Sequence, residues 1–161
     1  MVSGWNNGLA LAGAVAIVVL AMTSTGVMPA AARTTVDLRA GGYTDANAMG
    51  IGGGVMTDVG RGGAWMFNPN LEIVFPDGGN LFTMNGDFHY EFPSSSSLGT
   101  YAGAGPALLI ADPNVGGSRT DFGLDLIGGV TGRRGTTHPF GQAKIVLSDN
   151  TEFALMGGVR F

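Results

Sequence analysis

The chain contains no cysteine, and only 12% of its residues are charged. The first absence removes disulfides and thiolate metal sites. The second, with a net charge of −4, argues against nucleic acid or an anionic surface as the main partner. Beyond the N-terminus no stretch is long and apolar enough for a spanning helix. What the chain has is glycine, 29 of its 161 residues, and alternation. From Asn80 to Phe92, the residues Phe82, Met84, Phe88, Tyr90 and Phe92 share one face. Thr83, Asn85, Asp87, His89 and Glu91 share the other. That is a period of two, longer than the usual strand of about five or six residues. A strand of about 9–11 tilted residues, apolar towards lipid and polar towards a lumen, is the signature of a transmembrane β-barrel.

The N-terminus reads as a targeting segment. Leu9 to Met22 is an uncharged apolar run, followed by polar residues and by Pro29-Ala30-Ala31-Ala32. Its length suits a signal-peptide core better than a spanning helix, with cleavage expected after Ala32. Residues 1–8 carry no Lys or Arg, so an uncleaved anchor or a misassigned start is the alternative. The domain expectation is therefore a signal peptide over 1–32 and one barrel over 33–161.

The rest of the chain is a series of alternating runs broken by turn residues. Thr34–Tyr43 places Val36, Leu38 and Ala40 opposite Asp37 and Arg39. Ala46–Thr57 is Gly-rich, with Met49, Ile51 and Val55 together. Ala64–Phe75 sends Trp65, Phe67, Leu71, Ile73 and Phe75 outward, and Met66, Asn68, Asn70 and Glu72 inward. After Asn80–Phe92 come Thr100–Ala111 and Thr120–Thr131, the latter with Phe122, Leu124, Leu126 and Val130 opposite Asp125. His138–Ser148 places Ala143, Ile145 and Leu147 outward, and Gln142 and Lys144 inward. Thr151–Phe161 places Phe153, Leu155, Val159 and Phe161 outward, and Glu152 and Arg160 inward. The connections are too short for parallel crossovers, so neighbours are antiparallel. The predicted fold is all-β, an eight-stranded antiparallel up-and-down transmembrane β-barrel. Closure is required in lipid, because an open edge leaves backbone groups unpaired in hydrocarbon.

With the first strand starting at the periplasmic side, the outward aromatics gather at two levels. Trp65, Phe67, Tyr90, Phe92 and Phe161 fall at one rim, and Phe75, Phe82, Phe122 and Phe153 at the other. Aromatic girdles form because such rings favour the headgroup boundary. Phe140 has inward parity and fits neither girdle.

The segments GDFHYEFP (Gly86–Pro93), TYAGAGPALL (Thr100–Leu109), DFGLDLIGGV (Asp121–Val130), PFGQAKIVL (Pro139–Leu147) and LMGGVRF (Leu155–Phe161) follow in order. In that order the chain resembles small Gram-negative outer-membrane β-barrels, the opacity-like, OmpA-transmembrane-like "porin family" group, from about Thr34 to Phe161. The resemblance implies the outer membrane as location and its lipid as surroundings. It also implies that Leu155, Val159 and Phe161 form the signal read by the barrel assembly machinery. It does not choose a function, since members of the group include adhesins, structural anchors, small channels and proteins of unassigned role.

The inward ionisable residues are Asp37, Arg39, Glu72, Asp87, His89, Glu91, Asp125, Lys144, Glu152 and Arg160. Eight strands leave an interior barely wide enough for side chains, so these are expected to pair and plug the lumen. A narrow cation-preferring path is the alternative, with Gly41, Gly103, Gly105 and Gly123 leaving room for water. Asp87, His89 and Glu91 share a face, but a zinc site needs more His or Cys, and no metal or cofactor is expected. The His-x-Ser arrangement of lipid A deacylases is missing, since Tyr90 and Glu91 follow His89, and Pro139 and Phe140 follow His138. No helix follows Gly50–Gly54, so these glycines serve strand bending or bulky neighbours rather than phosphate. Arg133-Arg134 reads as a solvated turn.

The leading expectation is a monomeric, non-catalytic barrel with a structural or surface role. A small conduit for ions or solutes is the first alternative. The second is a secreted lipocalin-like binder, which would turn the same sheet inside out.

Overall fold

The computed structural model describes residues 33–59, 62–114 and 116–161, so the proposed signal peptide lies outside the described residues. Eight strands follow one another: β1 (Thr34–Tyr43), β2 (Ala48–Asp58), β3 (Trp65–Phe75), β4 (Gly79–Glu91), β5 (Leu98–Pro113), β6 (Arg119–Gly132), β7 (His138–Leu147) and β8 (Glu152–Arg160). Each pairs with the next, and β1 pairs antiparallel with β8, closing the barrel. Every boundary lies within two residues of the one expected from alternation. Arg33 and Phe161 lie at one end, here the terminal end; the opposite end carries the 44–47, 76–78, 114–118 and 148–151 connections.

The faces are those the alternation requires. Phe122 is 81% exposed on the outside, and Asp125, three residues on, is fully buried inside. Phe88 is 46% exposed while its neighbour Asp87 is fully buried. The lipocalin-like alternative needed the reverse, and these two pairs overturn it.

Small residues let the wall curve tightly. A Cβ built on inward-facing Gly41 would lie 2.1 Å from Leu155 O and 2.7 Å from Met156 Cα across the β1–β8 seam. Both are backbone atoms of the closing strand and cannot rotate away. Glycines of this kind do not leave room for water, as the conduit alternative supposed. Gly103 lies against the His89 ring, and Gly105 against the backbone of Gly86 and Asp87. Gly41→Ala is therefore expected to lower stability by about 1–3 kcal/mol, from the crowding cost alone. Outward Gly128, with nothing within 4 Å of a built Cβ, is the control. Gly128→Ala should shift the urea midpoint by much less.

Two lapses in the register face proline. Pairing of β2 with β3 skips Val55 and Met56, which stand opposite Pro69 and Asn68. Pairing of β4 with β5 skips Gly86 and Asp87, opposite Pro106 and Gly105. Proline has no N–H to give to a ladder. At the first lapse the Asn68 side chain compensates, its Nδ2 donating to Val55 O at 3.1 Å.

The interior is graded along its axis. Towards the end opposite the termini, Tyr43, Ala48, Val74, Ala154 and Met156 form one apolar cluster, and Ala107, Leu109 and Val146 another. The expectation of a largely polar filling is corrected there. Val74, Val146 and Met156 share inward parity with the ionisable residues, and at this end they exclude water by packing.

Candidate functional site

Mid-barrel charge is gathered around two groups. The Arg39 guanidinium, rising from β1, donates from Nε and NH2 to Asp37 Oδ1 at 2.8 and 2.6 Å. Its NH2 also reaches Asn68 Oδ1 at 2.7 Å, and NH1 reaches Glu72 Oε1 at 3.4 Å. Asn68 Nδ2 completes the ring by donating to Asp37 Oδ2 at 2.9 Å. Glu72 on β3 is the second centre. It accepts from Lys144 Nζ at 2.5 Å, from Thr83 Oγ1 at 3.4 Å and from the Tyr43 hydroxyl.

Strands β3 and β7 stand four apart in a ring of eight, so Lys144 and Glu72 meet across the barrel axis. Lys144 also lies 3.7 Å from Asp125 on β6. An amide ladder continues round the wall. Asn85 Nδ2 donates to Asn70 Oδ1 at 2.9 Å, and Asn70 Nδ2 to Asp87 Oδ2 at 2.8 Å. All of these side chains are buried. Such charges persist in a dry interior only when paired and hydrogen-bonded.

Of the ten ionisable residues expected to face the lumen, eight are buried there: Asp37, Arg39, Glu72, Asp87, His89, Asp125, Lys144 and Arg160. Glu91 and Glu152 share the parity but sit at the ends, half-exposed. Glu91 pairs with Arg133 at 3.5 Å, and Glu152 accepts from the Ala46 amide at 3.4 Å. Parity gives the face of a residue but not its depth, which is why these two differ from the rest. Asp87, His89 and Glu91 do not converge. Asp87 is held by Asn70, His89 stacks on Tyr101 with centroids 5.1 Å apart, and Glu91 turns to Arg133.

Arg133 is not a freely solvated turn residue. It folds back over the 92–97 connection, donating to Ser94 O at 2.7 Å and Phe92 O at 3.3 Å. Phe140 also finds its reason. It points inward beneath Arg160, whose guanidinium carbon lies 4.4 Å from the ring centroid, and Gly158 leaves the space its edge occupies. Tyr43 and Tyr101 carry lumen hydrogen bonds that alternation alone does not single out. Their inward parity was the available signal.

On the outside, Trp65 and Tyr90 pack edge to face at 5.1 Å and Tyr90 and Phe92 at 5.3 Å, while the Phe67 and Phe88 rings lie tilted at 4.8 Å. This terminal-end aromatic group is concentrated on β3 and β4, with Phe161 beyond β8, rather than encircling the barrel. At the other end Phe75, Phe82, Phe122 and Phe153 are spread over β3, β4, β6 and β8.

No protein-family model and no curated sequence matches the chain. Solved structures do. Neisserial surface protein A (NspA) superposes with a TM-score of 0.69 at 18% identity, covering 80% of this chain and 97% of that one. The N-terminal β-barrel domain of Pseudomonas aeruginosa OprF gives 0.60 at 17% identity, covering 81% and 98%. The outer membrane enzyme PagL gives 0.50 at 16% identity, covering 79% and 98%. The likeness shows the fold, that of eight-stranded transmembrane barrels. A surface protein, a barrel domain and an enzyme share it, so the function has to come from this chain's own residues.

Proposed function

We propose that the chain is an integral outer-membrane barrel protein with a structural or surface role and a closed lumen. The observation that carries this reading is the sorting of side chains. Large apolar groups such as Leu38, Ile51, Phe88, Phe122 and Leu155 are exposed on the outside, while the buried charges are inside. A soluble monomer rarely exposes an apolar surface of that extent. The outward rings of both aromatic groups then lie at headgroup level. Phe161 and Leu155 remain exposed on the outer face, with Val159 half-buried between them. That placement leaves the C-terminal residues accessible to the barrel assembly machinery. The terminal end faces the periplasm in this reading, and the barrel works as a monomer.

A non-catalytic role is supported by where the histidines lie. His89 stacks on Tyr101 inside the barrel, and His138 Nδ1 lies 2.9 Å from Gly132 O. Among the described residues neither hydrogen-bonds a serine, and the Ser94 hydroxyl bonds within its own connection, to Ser96 N and Leu98 O.

The conduit alternative requires an open axis, and the Lys144–Glu72 bridge lies across it. Planar-bilayer recording of the folded chain tests the point. No steady conductance is expected at moderate voltage. A stable ohmic conductance would contradict the closed lumen and favour the conduit.

A further inference from the structure

We propose that the cavity at the terminal end of the barrel binds a small organic oxyanion, a phosphate ester or a carboxylate, through the Arg160 guanidinium. The cavity measures about 410 Å³ and lies above the mid-barrel charge cluster, among inward residues that include Thr35, Met56, Met66 and Arg160. That volume is in the range of small-molecule sites, roughly 300–1,000 Å³.

Arg160 is 5% exposed, yet its Nε and NH2 have no hydrogen-bond partner among the described residues. It makes no ion pair among them either. Asp37 stands opposite it in the β1–β8 register, but both Asp37 oxygens are taken by Arg39 and Asn68. The contrast with Arg39 is direct: equally buried, one guanidinium is held by three acidic or amide side chains, while the other lies against two aromatic rings and the Tyr101 hydroxyl. Those rings, Phe140 at 4.4 Å and Tyr101 at 5.1 Å, orient the guanidinium without neutralising it.

The cavity walls carry three arginines and one histidine against two carboxylates, Asp58 and Glu91, and Glu91 already pairs with Arg133. A buried cation without a counter-charge is costly, so the site lacks an anion. A guanidinium donates short charge-assisted hydrogen bonds to phosphate and carboxylate oxygens. The thioether walls of Met56 and Met66 suit a small apolar body attached to that head. Because Arg160 faces the interior, the ligand is a soluble molecule rather than a lipid headgroup of the surrounding bilayer.

Calorimetric titration of phenyl phosphate and of benzoate into the full chain, folded in octyl glucoside, tests the proposal. Folding of each variant is checked by heat-modifiable gel migration. Saturable one-site binding of at least one probe is expected. Arg160→Met should weaken it by roughly tenfold or more, the scale of one lost charge-assisted hydrogen bond. Thr35→Trp, which fills the cavity but keeps the guanidinium, should abolish binding, and it carries the test alone if the Arg160 variant does not fold. Absence of saturable binding by both probes overturns the site. So does an unchanged affinity in Arg160→Met or retained binding in Thr35→Trp. In phosphatidylcholine vesicles, adding phosphatidylglycerol should leave probe affinity unchanged. Competition by phosphatidylglycerol would assign the cavity to a headgroup and overturn the soluble-ligand assignment.

Discussion

Replacing Glu72 with alanine is expected to destabilise the folded barrel by about 3–5 kcal/mol, the scale of breaking a buried ion pair by removing one partner. Glu72 is the shared acceptor for Lys144, Arg39, Thr83 and Tyr43, all buried with it. Without it, the Lys144 ammonium keeps only Asp125, at 3.7 Å, and cannot turn to solvent. Arg39 suffers less, because Asp37 and Asn68 still hold it. The large cost therefore falls on Lys144. Glu72→Leu combined with Lys144→Met should consequently cost less than Glu72→Ala alone, since neither charge is then stranded. The exposed Arg119–Asp121 pair, 3.8 Å apart, provides the scale for a surface contact. Arg119→Ala should change stability by about 0–1 kcal/mol. Urea unfolding of barrels reconstituted in phosphatidylcholine gives all three values. A Glu72→Ala loss no greater than that of Arg119→Ala would show that the cross-lumen bridge is not holding the barrel together.

The second large effect is expected outside. Leu126, 40% exposed near the middle of β6, is flanked by the buried Asp125 and Ile127 on the inner face. Leu126→Arg would present a guanidinium to the hydrocarbon at mid-depth, at a cost of about 2–4 kcal/mol. The same exchange at Leu98, which begins β5 at the terminal rim, should cost about 0–1 kcal/mol, because the charge can reach headgroups and water there. The depth dependence is the informative part. On a soluble protein both sites would be ordinary exposed positions, and both exchanges would fall within about 0.5 kcal/mol of neutral. Equal small effects at Leu126 and Leu98 would therefore mean that the outer face does not meet lipid.

The strands and their two faces were legible because neighbouring residues differ so strongly in chemistry. Asn80 to Phe92 assigns itself, since a one-residue slip would put Asp87 and His89 into hydrocarbon. Pairing inside the barrel was not legible. Lys144 and Glu72 lie 72 positions apart, and nothing local tells either that the other is its partner across the axis. Inward valines and methionines were hidden for a different reason. Val74 and Met156 are as apolar as the outward residues beside them, so alternation fades where the lumen itself is dry. Phe140 had the correct parity but no rationale, because its rationale is Arg160 and Gly158 on the next strand. Glu91 and Glu152 erred in depth rather than in face.

The most direct measurement dilutes the urea-solubilised chain into buffer with and without phosphatidylcholine vesicles. Folding is read by the mobility of unboiled samples on a gel and by resistance to protease. A fast-migrating, protease-resistant barrel is expected only when vesicles are present. A folded, soluble barrel with a cooperative unfolding transition in lipid-free buffer would contradict the claim that the apolar face of this sheet is made for hydrocarbon.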